Sequence, residues 1–503
     1  MLMSAKVLGR LKQLLGQHAN EDKNGIEREL PFVALLFTLL AASGVTLYES
    51  WKKIANIGQL KVFQKEAKEV VRLVEVLGYD PLTVMQKRAE KTKSKIYREF
   101  LLGYVSAVRS GGSIVNYLRS KLRSIFEGHN AAAIRSIERL GTIVEAYAVM
   151  LIVTLCSYIL FIVFSATSVF EPLKLTGTPS VPTEVIVILI FVLNPMISIV
   201  FMAIAHMERR SNIIGLKKPY QVAVISAAIS CGIIASAFFT SALNFLTEPQ
   251  HLPLFITLCL LIISLPAAVV YVESVRINYA AENFMPSFLR DVTEARKTGL
   301  SPEKSIIHAA RRSGYGRFSE VLRIIRSQIE WGVPIKRVFM NVKRKIQTWP
   351  VLVNFLILGE TIKTGGGSSI ALDILTEYSE KMKDVETHKR AMLRPYVILA
   401  FIWSALLALT TTMVAMSVYT LTQLSFPGSE TLPLRVIQEH LSLFSTGTLF
   451  QCWLSGFFIG KVSDGTFAAG FKYSIMLVLT AYMSLVISQT VLSGLFGLVT
   501  GSI

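Results

Sequence analysis

The run of small residues at 364–369, Thr-Gly-Gly-Gly-Ser-Ser, comes nearest in composition to a phosphate-binding loop. A P-loop needs a lysine followed by serine or threonine directly after its glycines, so that an ammonium group reaches the phosphates. In this chain Ser-Ser-Ile-Ala follows the three glycines instead. The run therefore predicts a turn between two helices rather than a nucleotide site.

Other residues that could do covalent or metal chemistry are scattered along the chain. The seven histidines form no HExxH motif, and we find no Gly-x-Ser-x-Gly nucleophile elbow. The four cysteines show no CxxC spacing and all lie in apolar stretches, which argues against a disulfide framework or a zinc site; they are Cys156, Cys231, Cys259 and Cys452. The sequence thus predicts a protein with no cofactor, no metal and no covalent chemistry of its own.

The composition is that of an integral membrane protein. Of 503 residues, 52% are hydrophobic and 17% charged, against about 25% charged in soluble domains. Crossing a bilayer takes about 20 apolar residues. Seven stretches are long enough: 146–166, 185–205, 220–242, 254–272, 396–419, 441–460 and 473–497. None of them contains Asp, Glu, Lys or Arg, and this absence argues against a proton pump or an ion-coupled transporter.

The charge lies between these stretches, in two basic blocks. Residues 1–142 carry a net charge of +10 and residues 276–394 one of +9, so the two blocks account for the whole net charge of +18. The short links 206–219 and 461–472 are also basic, so the positive-inside rule places them and both blocks in the cytoplasm. The first 29 residues lack the apolar core of a signal peptide. We therefore predict a cytoplasmic N-terminal tail (1–28), a cytoplasmic block (29–142), four spans (143–275), a second cytoplasmic block (276–394) and three spans (395–503).

The uncharged segment 32–48 has two interpretations. Thr46 followed by Glu49 fits a capping box at a helix start, and Gly44 just before it suits a helix end with positive φ. This pattern predicts a helical hairpin whose first helix, of about 12 residues, is too short to cross a bilayer. A true eighth span is the alternative, and it would shift the topology by one crossing.

The two blocks share a repeated punctuation of glycine and proline. Pro31 precedes Gly44 by the interval that separates Pro286 from Gly299, and the second copy is rich in charge and therefore soluble. Further glycines recur in register: Gly78 and Gly111 in the first block, Gly332 and Gly365 in the second. Between them the apolar residues follow a helical period. We expect an all-α fold in which each block is a helical bundle with its own core, and the last helix of each block runs on into the membrane.

Clusters of basic residues mark both blocks. One interpretation is a solvated face near anionic lipid, and another is a docking surface for an acidic partner. No nucleic-acid-binding module accompanies the charge, so no nucleic-acid partner is expected. The residues that we assign to a docking surface are Lys87, Arg88, Lys91, Lys93, Arg311, Arg312, Lys343, Arg344 and Lys345.

The two blocks resemble the F domain of type II secretion systems. The openings ELPFVALLFTLLAASGVTLYES and FMPSFLRDVTEARKTGLSPEKS are similar to the start of that domain, and Gly359-Glu360 with Thr364-Gly365 resembles its Gly-Glu-x3-Thr/Ser-Gly motif. The first copy has Ser106 in place of the glutamate, although Ser110-Gly111-Gly112 remain. The four spans between the copies are similar to the archaeal branch. The motif and structural positions are Gly44, Gly78, Gly111, Gly112, Gly299, Gly332, Gly359, Glu360, Thr364, Gly365 and Gly366.

The resemblance implies a platform protein of the cytoplasmic membrane. Such proteins assemble type IV filaments (archaella or pili) or serve type II secretion, and are expected to act as homodimers. They bind a cytoplasmic hexameric secretion ATPase and pass its motion to pilin-like subunits in the lipid. A solute permease or channel is the competing interpretation; it needs a polar path, for which only Asn194, scattered serines and threonines, and Gln489 are evident. A membrane enzyme would need convergent acid, base or metal groups, which we do not find.

Overall fold

A computed structural model of the chain describes residues 23, 25–168, 187–209, 217–239, 245, 248–365, 368–425 and 434–500. These residues are almost all helical, as the sequence predicts. The chain divides into two compact units: the first comprises 1–134 and 276–387, the second 135–275 and 388–503. Both basic blocks therefore contribute to one unit, which we call the soluble unit, and the apolar stretches form the other, which we call the membrane unit.

The soluble unit is built from short helices and the ends of three long ones. The short helices are α1 (25–42), α2 (Leu47–Ala55), α3 (Lys61–Glu75), α4 (Pro81–Lys91), α5 (Lys95–Arg109), α10 (Pro302–Arg311), α11 (Phe318–Glu330), α12 (Ile335–Val342) and α13 (Trp349–Gly365). The long helices are α6 (Ile114–Ser168), α9 (Leu252–Lys297) and α14 (Ser369–Ser425). Each of the three boundaries between the units falls inside one of these long helices.

The turn between α1 and α2 forms as the sequence predicts. Gly44 has φ +81° and Gly299, its counterpart in the second block, has φ +89°. This left-handed conformation carries no steric penalty in glycine. Thr46 then caps α2, since its hydroxyl oxygen accepts a hydrogen bond from the N–H of Glu49 at 3.3 Å. Ser301 caps α10 in the same way.

Residues 32–40 of segment 32–48 lie in the core of the soluble unit, whereas Gly44 and Thr46 in the turn are exposed. Along α1, residues 32–40 are at most 4% exposed. The aromatic ring of Phe32 lies 6.0 Å from the rings of both Trp349 and Tyr378, which belong to the second block. The expectation of a separate core in each block is therefore wrong. Helix α1 is apolar on every side, and such a helix is buried on every side. One small bundle does not cover it completely, and the two blocks share one core.

Two unbroken helices carry the blocks into the membrane unit, which confirms the predicted continuation. Helix α6 has 55 residues and α14 has 57. At a rise of 1.5 Å per residue, each is about 80 Å long. Long helices usually curve gently, and a proline inside one removes a backbone hydrogen bond. Pro395 lies inside α14 without ending it.

The membrane unit completes these helices with α7 (Asn194–Glu208), α8 (Lys218–Phe239), α15 (Leu434–Asp464) and α16 (Gly470–Thr500). A π-helical turn, Leu189–Leu193, leads into α7, whose second residue is Pro195. Among the described residues, six helices are long and apolar enough to cross a membrane. The stretch 441–460 is not one of them. It forms α15, which is polar along one side and mostly buried within the membrane unit.

Candidate functional site

The cations predicted on α4 and just after it fall into two groups. Lys87, Lys91 and Lys93 are exposed to solvent. The ammonium nitrogen of Lys87 lies 3.9 Å from the centre of the Tyr79 ring, a cation–π contact that holds the side chain against the surface. These three lysines are available to a partner.

Arg88, by contrast, is part of a buried network within the first block. Its Nε donates to Oε1 of Glu66 at 2.8 Å, and its terminal nitrogen bonds the second carboxylate oxygen. The hydroxyl of Tyr97, which is fully buried, donates to Oε1 of Glu66 at 3.2 Å. The paired carboxylate raises the pKa of Arg88, and burial raises the pKa of Tyr97 well above its ordinary value. Arg88 therefore stabilises the packing of α4 on α3 and α5.

The two arginines at the end of α10 are also paired. Arg311 donates to the Glu330 carboxylate at 3.0 Å. Arg312 bonds Asp291, which also accepts a hydrogen bond from the Tyr315 hydroxyl. Both guanidinium groups remain about two-thirds exposed, so they can add to a positive surface while they hold α10 in place.

The basic triplet Lys343, Arg344 and Lys345 follows α12 directly. Its three side chains are exposed, and no carboxylate of the described residues lies within ion-pair distance of them. Val342 and Ile346, on either side, are at most 3% exposed. Buried flanks fix the backbone of the triplet, so its charge is presented on an ordered turn.

The family-motif positions lie at helix ends or at a close helix contact. Gly359 lies inside α13, where a Cβ would come within 2.9 Å of the Phe339 ring, so glycine permits α12 to pack against α13. Glu360, next to it, is half-buried, and Thr364 and Gly365 are the last residues of α13. Gly366 lies outside the described residues. Positive φ angles are found at Gly44, Gly78, Gly111, Gly299 and Gly332, and not at Gly112.

A polar network lies in the interior of the membrane unit. The hydroxyls of Tyr147 and Ser455 are 2.8 Å apart, and Gln451 donates to Ser198 Oγ at 2.9 Å. All four residues are at most 8% exposed. Bonds of this kind hold membrane helices together, here α6, α7 and α15. Gln451 was not among the polar residues singled out from the sequence, although a glutamine within a 20-residue uncharged stretch is a signal that could have found it.

Helices α15 and α16 approach each other at backbone distance. A Cβ on Gly456 would overlap the backbone of Ser474, and one on Gly460 would overlap the backbone of Gly470. Ser474 Oγ also donates to the carbonyl oxygen of Trp453 at 2.7 Å. The spacing Gly456-x3-Gly460 opposite Gly470-x3-Ser474 is the small-residue pattern of tightly packed membrane helices.

The fold and these sites define an all-α, multi-pass membrane protein whose two homologous basic blocks form one soluble unit. Residues 32–162 and 288–416 each match the family described as Type II secretion system (T2SS), protein F. The two matches cover just over half of the chain, and the chain belongs to this family.

A relative of the whole chain is similar at low identity. It is uncharacterized protein MJ1286 of Methanocaldococcus jannaschii, 20% identical over 492 residues, which span 92% of this chain and 80% of the relative. The similarity therefore extends over both units and beyond the two family matches. No solved structure matches the chain significantly.

Proposed function

We propose that this protein is the cytoplasmic-membrane platform of an archaellum, a pilus or a type II secretion-like machine. In this role the soluble unit binds a hexameric secretion ATPase in the cytoplasm. The membrane unit passes the motor's motion to pilin-like subunits, and the platform works as a homodimer without chemistry of its own. The family match supports a platform-type protein; the motor and the subunits are our proposal.

The observation that carries the proposal is the continuity of α6 and α14. Each begins in a basic block of the soluble unit and continues into the membrane unit without a break. Displacement of the soluble unit by a motor would therefore move membrane helices directly, because a hydrogen-bonded helix transmits force along its axis. A regulatory domain on a flexible linker would not have this connection.

The first test concerns orientation. In a chain whose four cysteines are replaced by alanine, we introduce Glu49→Cys or Glu303→Cys, both exposed positions of the soluble unit. The positive-inside distribution predicts that an impermeant maleimide labels neither in intact cells and both after permeabilisation. His251→Cys, in the predicted external loop 243–253, is the control and should react in intact cells. Labelling of both soluble-unit positions from outside would refute the proposed topology.

The second test concerns the docking surface. Reversal of the triplet, with Lys343, Arg344 and Lys345 all changed to Glu, should lower co-purification of the cognate ATPase at least about tenfold, since like charges then face each other across the interface. The charge-preserving variant Lys343→Arg, Arg344→Lys, Lys345→Arg should bind like the wild type. Equal recovery of the ATPase with both variants would exclude the triplet from the interface.

The permease interpretation depends on a polar path through the membrane. Four buried polar side chains of the membrane unit, Tyr147, Ser198, Gln451 and Ser455, are bonded to one another. Such bonds serve helix association. Together with the family match, this arrangement favours the platform.

A further inference from the structure

A cleft of about 520 Å³ opens in the soluble unit between the first turns of α6 and α14. Clefts of about 300–1,000 Å³ are the usual size of small-molecule sites. The lining residues include Arg119 and Arg123 on α6, and Asp373 and Glu377 on α14. Both helices begin within two turns of these residues, and the amino-terminal end of a helix favours negative charge.

The cleft offers little apolar surface to an occupant. Its apolar lining residues are already covered by the core and are at most 7% exposed; they are Leu122, Phe126, Ile374 and Tyr378. Docking of a partner helix in a groove relies on burial of apolar area, and this contribution would be small here. An occupant has to bind mainly through charge and hydrogen bonds, which suits a polar small molecule.

The α6 wall carries positive charge that is only partly compensated. Arg119 is exposed, and no carboxylate of the described residues lies within ion-pair distance of it. Arg123 pairs through its Nε with Glu127 at 3.1 Å, and three quarters of its side chain is exposed. Side chains four residues apart lie on the same face of a helix, and guanidinium groups bind phosphate oxygens in pairs. This wall therefore suits a phosphate group.

The α14 wall carries hydrogen-bond acceptors whose charge is already balanced. The carboxylate of Asp373 lies 3.0 Å from the ammonium nitrogen of Lys297, and that of Glu377 lies 2.7 Å from the ammonium nitrogen of Lys381. An ionised carboxylate has about four lone-pair sites, so each can accept further hydrogen bonds. Because each carboxylate has its own cation, the wall can accept bonds from hydroxyl or amino groups without strongly repelling an anion opposite.

One buried polar group of the cleft has no partner among the described residues. Tyr378 is 4% exposed, and its hydroxyl makes no hydrogen bond there. The ring packs edge-on against Phe32 and Phe126, with ring centres 6.0 and 4.9 Å away. A buried hydroxyl without a hydrogen bond is unfavourable. An occupant with a polar atom at this position would supply the missing bond.

We propose that this cleft binds a small phosphate ester that also carries hydroxyl or amino groups, as sugar phosphates and nucleotides do. Arg119 and Arg123 hold the phosphate, Asp373 and Glu377 accept hydrogen bonds from the hydroxyl or amino groups, and the Tyr378 hydroxyl bonds the ligand. The site does not depend on the platform role, because the basic triplet 343–345 is not part of the cleft.

Calorimetric titration of the purified full-length chain in detergent tests the proposal. The compounds titrated are ribose 5-phosphate, ATP, ribose and inorganic phosphate. At least one of the two esters should bind about tenfold or more tightly than ribose and inorganic phosphate, since only an ester contacts both walls. Tighter binding of ATP would identify a nucleotide site, and tighter binding of ribose 5-phosphate a sugar-phosphate site. If neither ester binds more tightly than inorganic phosphate, the cleft holds an adventitious ion only and the proposal is wrong.

A pair of double variants assigns the binding to the cleft. Arg119→Gln with Arg123→Gln should weaken binding of the preferred ester at least about tenfold, because charge-assisted hydrogen bonds to the phosphate are lost. The matched control is Arg317→Gln with Arg323→Gln, which removes two exposed arginines at the start of α11 and within it, outside the cleft. The control should bind like the wild type. Equal weakening in both double variants would reduce the effect to overall charge and overturn the site.

Tyr378→Phe distinguishes a ligand contact from a structural role. The variant should bind the ester several-fold more weakly, since it lacks the hydroxyl. The thermal midpoint of the ligand-free chain should stay the same or rise, because the hydroxyl has no hydrogen bond to lose. A lower midpoint together with unchanged ester affinity would contradict the proposed contact.

Discussion

Gly460→Leu is expected to prevent folding of the membrane unit and to lower the yield of monodisperse protein in detergent at least about tenfold. The added side chain would overlap backbone atoms of the neighbouring helix, and no flexible side chain is there to move aside. We expect the largest single-residue effect here. Gly460→Ala should already lower the thermal midpoint, because even the first carbon of a side chain overlaps Gly470.

The large effect expected at Gly460 comes from the close packing of α15 against α16. Small residues face each other at two successive turns, Gly456 with Ser474 and Gly460 with Gly470. Helix α15 is enclosed by its neighbours, so it cannot move outward to make room. Its displacement would also break the hydrogen bond from Ser474 to Trp453 and disturb the polar network around Gln451.

Size-exclusion chromatography of the purified full-length chain measures this effect. Gly232→Leu is the matched control: this glycine lies in membrane helix α8, is exposed, and would have no heavy atom within 4 Å of its Cβ. It should elute as the wild type does. A normal elution profile for Gly460→Leu would show that α15 and α16 do not pack as described.

Local features of the fold could be predicted from the sequence, because the residues that form them are neighbours in the chain. Gly44 followed by Thr46 and Glu49 specifies a helix end and a helix start, and this marked 32–48 as a hairpin although hydropathy favours a span. The passage of α6 into the membrane followed from an apolar stretch that begins without a helix breaker, whereas α14 continues through Pro395, which directly precedes its apolar stretch.

Features that depend on distant partners could not be predicted. The shared core brings Phe32 to Trp349, more than 300 positions along the chain. Nothing local distinguishes the structural Arg88 from the adjacent, exposed Lys87, because the carboxylate of Glu66 lies on another helix. The pattern Gly456-x3-Gly460 is different, because it can be read from the sequence alone. Only the helix against which it packs had to be found from the structure.

Glu66→Ala is the second change for which we expect a large effect. It leaves the guanidinium of Arg88 without its carboxylate and the hydroxyl of Tyr97 without an acceptor. Breaking one side of a buried ion pair typically costs 3–5 kcal/mol. Because a quarter of the Arg88 side chain is exposed, we expect about 2–4 kcal/mol, or roughly 5–10 °C in the thermal midpoint of a unit of this size.

Thermal unfolding of the full chain in detergent, followed by intrinsic fluorescence, measures the shift. Glu69→Ala is the control, since Glu69 lies on the same helix, is half-exposed and pairs only loosely with Arg72, at 3.7 Å. Exposed pairs contribute about 0–1 kcal/mol, so its midpoint should barely change. Similar shifts for Glu66→Ala and Glu69→Ala would contradict a structural role for the network.

Replacing all three members together tests whether the loss comes from the stranded cation. The triple variant Glu66→Leu, Arg88→Met, Tyr97→Phe removes every polar group of the network, and should recover most of the stability that Glu66→Ala loses. Arg88 is then dispensable for folding, so its contribution to ATPase binding can be measured in a stable protein. If docking uses only the exposed cations, the triple variant binds the ATPase normally, whereas a variant with Lys87, Lys91 and Lys93 all changed to Glu does not bind it. A triple variant that is stable but fails to bind the ATPase would show that Arg88 belongs to the interface.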